Sequence, residues 1–362
     1  MFFIHIGRKK AGSSTIQQFL NCNAAALESA GVIYPETERE RTRSHRGLVN
    51  SLKHAHRGII TATGNLGTRE GLDALHRLAV ENPDKRFILS SEGFESITEE
   101  RLRVLAQALS PHKVQVVAYI RSFVDQMPSF YNQQTKSGKN TLDFDEFCRS
   151  EDYVTDGFSR IGLWIGIFGY ENVRVIALET LSGEHALIRS VLEVVGLRLE
   201  EIPNVDPESL KPMNISLGWK SVELVRAAFL EEGRIRIERL RARQRSQDGL
   251  SRIKRRNKLK RACRGAAEQL GLAAEKTQYV SAEQARQLWA HYMASVDSLG
   301  RSLRQPICLP SPREIGERPF LPSAEQIPMD ERTRFAELLA KDLAEGRFPT
   351  DATERIVAAV RH

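Results

Sequence analysis

No run in this 362-residue chain approaches the roughly 20 consecutive apolar residues that cross a bilayer. A secretory signal is not expected either: no basic residue precedes the short apolar stretch Phe2–Ile6, and Arg8, Lys9 and Lys10 follow it. Cysteine is scarce. Cys22, Cys148, Cys263 and Cys308 stand far apart and form no metal spacing, so reduced thiols in a cytoplasmic protein are the expectation. No acidic metal-binding motif is recognisable, and no segment repeats. What remains is 41% hydrophobic and 27% charged, the balance of a folded globular chain. Its length suits one large α/β domain with an extension, or two smaller domains.

Residues 2–19 read F-F-I-H-I-G-R-K-K-A-G-S-S-T-I-Q-Q-F. Phe2–Ile6 reads as a short buried strand. Gly7 ends it, a turn runs through Gly12, and a helix pattern begins near Ser13. Strand, Gly-bounded turn and helix N-terminus is the geometry that cradles a phosphate on backbone N–H groups. The Gly7-to-Gly12 spacing matches the P-loop pattern G-x-x-x-x-G-K-[ST], but Ser13 stands where a nucleotide triphosphatase needs lysine. The cation sits earlier, at Lys10, within reach of a single phosphate and the bridging oxygen beyond it. The bland alternative is an ordinary βα turn with Ser13 as helix N-cap.

Val114–Ile120 (V-Q-V-V-A-Y-I) is the best strand candidate, rich in β-branched residues and suited to the centre of a parallel sheet. It ends at Arg121, and Ser129 and Tyr131 follow in S-F-V-D-Q-M-P-S-F-Y. An arginine at the carboxyl end of a buried strand points into the crevice where α/β folds bind ligands, and its fork of donors suits a dianionic phosphate. The alternative is an arginine capping the strand end in a surface ion pair.

Strand, then Lys10-Ala11-Gly12-Ser13-Ser14, resembles the 5′-phosphosulfate loop of sulfotransferases, commonly P-K-[TS]-G-[TS]-[TS]. Lys9 replaces the usual Pro, and Ala11 the usual hydroxyl residue. Strand–Arg121–x7–Ser129–x–Tyr131 resembles the family's 3′-phosphate motif. Gly162–Glu179 (G-L-W-I-G-I-F-G-Y-E-N-V-R-V-I-A-L-E) is similar to a segment W-x3-F-G-x-E-x-V-x-V of many bacterial members. Lys211–Leu217 (K-P-M-N-I-S-L) looks like the late loop that closes over the nucleotide. The resemblance spans roughly residues 1–305.

It implies a three-layer α/β fold with a parallel, doubly wound sheet. It also implies transfer of a sulfuryl group from 3′-phosphoadenosine 5′-phosphosulfate (PAPS), with no metal, to a hydroxyl or amine of a carbohydrate, glycolipid or small molecule. PAPS would be held by Arg8, Lys9, Lys10, Ala11, Gly12, Ser13, Ser14 and Thr15. Arg121, Ser129, Lys211, Asn214 and Ser216 would complete that site. Lys10 would meet the charge developing on the leaving phosphate oxygen. Glu92, just past the I-L-S-S strand end, is the first candidate base, and His45 the second. Each has a bland alternative: Glu92 as a cap of the next helix, His45 as a loop residue. A small-molecule kinase and a non-catalytic polyanion-binding protein are the competing functions.

The alternating pattern continues as a helix over 13–30, a strand at 32–34, helices at 72–80 and 99–109, and strands at 86–90 and 173–178. Helices are expected over 142–168, 184–195, 284–299 and 332–345. The acceptor pocket is expected from loops 36–70 and 135–160. Segment 233–264 carries fourteen Arg or Lys against Glu238 and Asp248, a local +12 in a chain of net +7, so the rest sums to −5. It reads as a solvated charged helix, or as a surface for an anionic acceptor or lipid head group. It has no aromatic residue for stacking bases, and nucleic acid is not expected. A proline-rich linker after residue 305 leads to a C-terminal extension that packs back on the domain or joins a partner chain, which leaves a homo-oligomer open.

Overall fold

A computed structural model describes residues 1–37, 39, 43–54, 69–150, 158–211, 218–241, 252–272, 280–307, 309 and 327–362. The strands are β1 (Phe2–Ile6), β2 (Val32–Ile33), β3 (Arg86–Ser91), β4 (Val114–Ile120) and β5 (Val173–Ala177). The helices, in chain order, are α1 (Ser13–Cys22), α2 (Ala24–Ser29), α3 (Arg46–His54), α4 (Arg69–Glu81), α5 (Glu99–Leu109), α6 (Phe123–Lys136), α7 (Phe144–Ser150) and α8 (Ser159–Phe168). They continue with α9 (Ala186–Val194), α10 (Trp219–Arg241), α11 (Arg252–Gln269), α12 (Ala282–Leu303), α13 (Met329–Glu345) and α14 (Thr350–Arg361).

The strands form one parallel sheet in the order β2-β3-β1-β4-β5. All five residues of β1 are buried, as a central strand covered on both faces requires. One face packs Phe3, Val117 and Tyr119 against Ile16, Phe19 and Leu20 of α1 and Ile188, Val191 and Leu192 of α9. On the other face α8 lies on β4 and meets α5, and Trp164 meets Phe94 edge-on at 5.9 Å. The fold is therefore the expected three-layer α/β arrangement. The chain leaves β1 toward β2 on one side and leaves β4 toward β5 on the other. Adjacent strands whose connections diverge make a topological switch point, which places a crevice at the carboxyl ends of β1 and β4.

The helix expected over 13–30 is broken at Asn23. That buried side chain donates to the Phe19 carbonyl and to Ser209 Oγ, both at 2.8 Å, and accepts from the Asp206 N–H at 2.8 Å. Two of these bonds reach a turn more than 180 residues away and outweigh continued helix, a long-range cause that local pattern does not carry.

The chain divides into two compact units. The first is Met1–Gln126, Asp152–Met213 and Leu288–Arg313; the second is Met127–Glu151, Asn214–Gln287 and Glu314–His362. In the second, α10 packs on α11 and α14, α13 packs on α11 and α14, and the four close a ring. Arg355 ties α14 to Glu231 and Glu238 of α10, at 2.7 and 2.5 Å. The C-terminal helices thus pack with the basic helices of 233–264.

Candidate functional site

The β1–α1 turn is held in an unusual backbone shape. Lys10 and Gly12 both lie in the left-handed region, at φ 65° and 83°. Gly12, not Ser13, is the N-cap of α1. Its φ is what favours glycine there; a Cβ would also stand 2.5 Å from Leu187 Cδ2, the end of a side chain that can move aside. The Ser13 hydroxyl, buried, turns back to the Arg8 carbonyl at 3.3 Å. Ala11 N–H donates to the Arg8 carbonyl and Thr15 N–H to the Gly12 carbonyl. The N–H groups of Gly12, Ser13 and Ser14 have no carbonyl partner among the described residues. Three unsatisfied donors at a helix N-terminus form an anion cradle. Ser14 and Thr15 are half-buried beside them, as are Lys9 and Lys10.

Two side chains from the β4 end brace this turn. Arg121 Nη1 donates to the Lys10 carbonyl at 3.2 Å, and the buried Gln126 donates from Nε2 to the Lys9 carbonyl at 2.7 Å. Arg121 is half-buried and forms no ion pair among the described residues, so the surface-pair alternative lacks its carboxylate. One of its five donors is used; the remainder suit a phosphate. Glu179, beyond β5, accepts from the Ser122 N–H at 2.5 Å and from Tyr292 Oη at 3.1 Å, fixing the entry to α6. Neither Gln126 nor Glu179 is among the site residues expected from the sequence. Gln126 lies five residues after Arg121 in the first turns of α6, a spacing that is its only local signal.

Arg8 is placed differently from the rest of the loop. It is buried, with Nε 3.6 Å from Glu95 Oε1 and its guanidinium 4.5 Å from the Phe158 ring centroid. It anchors the turn from below.

Glu92 opens a short 3₁₀ turn, Glu92–Ser96, directly after β3. The cap of that turn is Ser91, whose Oγ accepts from the Gly93 N–H at 3.1 Å, so Glu92 is not the capping residue. Its Cγ lies close enough to Gly7 that a Cβ there would sit at 3.2 Å. Glu92 is exposed on its open side, yet the protein around it desolvates the carboxyl and raises its pKa. Glu95 adds to that rise, while Lys10, Lys9 and Arg46 oppose it. A carboxylate whose pKa is raised by burial is a stronger base than a free one and is suited to take a proton from an acceptor.

His45 is corrected by the structure. It is completely buried, and both ring nitrogens are engaged: Nδ1 accepts from the Ser90 N–H at 3.1 Å and Nε2 donates to the Pro35 carbonyl at 3.0 Å. The Tyr34 ring stands against it at 4.9 Å. Burial pushes its pKa down to about 4. It has no nitrogen left for an acceptor and is a packing residue. The sign of its linkage follows. A base disfavoured in its charged form stabilises the fold above the unfolded pKa of 6.5 and loses that contribution as pH falls toward 4. In His45→Gln, the slope of unfolding free energy against pH between 4 and 6.5 is therefore expected to be smaller than wild type by about one bound proton. Denaturant titrations across that range check it; an unchanged slope contradicts the buried neutral imidazole.

The other expected site residues are Ser129, Lys211, Asn214 and Ser216. Ser129 is half-buried on α6 in the second unit. Lys211 is exposed and paired with Glu208 at 2.5 Å. Asn214 and Ser216 lie outside the described residues, as do 55–68 and 151–157 of the expected acceptor loops. A cavity of about 720 Å³ lies at the opposite end of the sheet, lined by residues such as His112, Lys113 and Gln115 at the start of β4, and holds none of these groups. Among the described residues no group of His, Cys, Asp or Glu is placed to hold a metal ion, and no helix is long and apolar enough to cross a membrane.

No family model and no curated protein matches the chain. Among solved structures, it is similar to a sulfotransferase from Alicyclobacillus acidocaldarius, at 16% identity over 67% of this chain and 96% of that one, with a TM-score of 0.36.

Proposed function

We propose that this chain is a cytoplasmic sulfotransferase that moves a sulfuryl group from PAPS to a hydroxyl or amine of a carbohydrate, glycolipid or small molecule. One observation carries the proposal: the hydrogen bond from Arg121 to the Lys10 carbonyl, which joins two phosphate motifs 111 residues apart in the sequence at one crevice. In this reading the Gly12, Ser13 and Ser14 N–H groups, with the Ser14 and Thr15 hydroxyls, take the 5′-phosphate. Arg121 takes the 3′-phosphate. The S–O bond to the 5′-phosphate breaks as a bond from sulfur to the acceptor oxygen or nitrogen forms. Lys10 neutralises the charge left on the phosphate oxygen, and the Glu92 carboxylate takes the acceptor proton. Positioning and charge stabilisation supply most of the rate, as in phosphoryl transfer.

The test is incubation of the protein with PAPS and a panel of hydroxyl and amine acceptors, without added Mg²⁺. The expected result is sulfated product and 3′-phosphoadenosine 5′-phosphate in equal amounts. Phosphorylated product with ATP and Mg²⁺, and none with PAPS, would replace this reading with a kinase.

A further inference from the structure

Seven large hydrophobic side chains are exposed among the described residues, and two of them lie at helix ends in the second unit. Ile237, 45% exposed, lies one turn before the end of α10; Ile253, 63% exposed, is the second residue of α11. These two helices pack on each other, so both isoleucines stand at the helix ends that meet the 242–251 connection.

The surroundings are cationic. Ile253, Arg256, Lys260 and Arg264 recur at spacings of three and four, which sets them along one stripe of α11. The sequence from Arg252 to Arg264 contains no acid, and the first, Glu268, pairs with Arg264 at 2.7 Å. Lys136 of α6 faces the same stripe: burial, then the like charges of Lys260 and Arg264, lower its pKa. Among the described residues no carboxylate pairs with Arg256, Lys260 or Lys136. Crowded cations and exposed aliphatics are each unfavourable in water, and one kind of surface relieves both. A soluble polyanion would satisfy the charges and leave the isoleucines wet.

We propose that this end of the second unit docks on an anionic lipid bilayer, with Ile237 and Ile253 entering the headgroup boundary and the Arg256–Lys260–Arg264 stripe lying over the anionic headgroups. Such a contact is peripheral and combines buried apolar area with electrostatic attraction. It is independent of the chemistry proposed for the first unit.

Flotation of the full chain with phosphatidylcholine vesicles, with and without phosphatidylglycerol, tests it. Binding is expected only with phosphatidylglycerol, falling as salt rises. Ile253→Ser is expected to weaken it about tenfold, and Arg256→Glu or Lys260→Glu about fivefold or more each. Circular dichroism checks that each variant folds, with Arg256→Gln and Lys260→Gln as milder replacements. The proposal is overturned by absence of binding to anionic vesicles, or by equal binding to neutral ones. It is also overturned if charge reversal abolishes binding while Ile253→Ser leaves it intact, which would make the stripe a polyanion site.

Discussion

Lys10→Gly is expected to lower turnover by about 10²–10³-fold while leaving the melting temperature unchanged or higher. The two effects have separate causes. Lys10 holds φ at 65°, in the left-handed region, where a side chain costs about 1–2 kcal/mol. Glycine removes that cost, and its greater freedom in the unfolded chain offsets part of the gain, about 0.5–1 kcal/mol. A lysine retained only to shape the turn would be better replaced by glycine in both respects. Strain held at such a position fits a group needed for its chemistry, here the ammonium beside a leaving phosphate oxygen. Single-turnover rates and thermal melts of the same sample decide. Wild-type turnover in Lys10→Gly would remove Lys10 from charge neutralisation; lost turnover with a lowered melting point would point to a collapsed loop.

Glu92→Gln is expected to lower turnover by about 10²-fold or more with nucleotide binding intact. Only the carboxylate accepts a proton, so wild-type turnover should rise with pH through a value above the ordinary 4.5, and the variant should lack that limb. The stability effect has the opposite sense. Burial, the main cause of the raised pKa, disfavours the charged form in the fold. The stability that Glu92 contributes is thus present below its unfolded pKa and lost as pH rises through the folded one. Glu92→Gln should be slightly more stable than wild type at pH 7, and equally stable below about pH 4. The exposed side of the carboxyl keeps the difference small. Unchanged turnover would remove Glu92 as the base.

The parts of this site legible in the sequence are those fixed by short-range chemistry. Val114–Ile120 announces itself by β-branching and is observed with those bounds. The Gly7–Gly12 spacing, with Gly12 at φ 83°, likewise states a local backbone need. Residues whose meaning depends on distant partners were not legible. His45 carries the same letters whether it faces substrate or is walled in between Pro35 and Ser90, 45 residues away. Asn23 breaks a helix because of Ser209 and Asp206. Gln126 and Glu179 matter through a carbonyl of the β1–α1 turn and an N–H after β4, contacts without sequence periodicity. The helix Thr350–Arg361 is a short amphipathic segment whose role shows only in the packing it makes with α10 and α13.

The central claim is that Arg121 and the Lys10 turn form one nucleotide site. Calorimetric titration with 3′-phosphoadenosine 5′-phosphate, without Mg²⁺, on wild type and Arg121→Ala tests it most directly. The expected result is binding in the micromolar range that weakens by about 10²-fold in the variant, the loss of a charge-assisted, bidentate contact of about 2–3 kcal/mol. Absence of binding to wild type, with ATP·Mg²⁺ bound instead, would contradict the account.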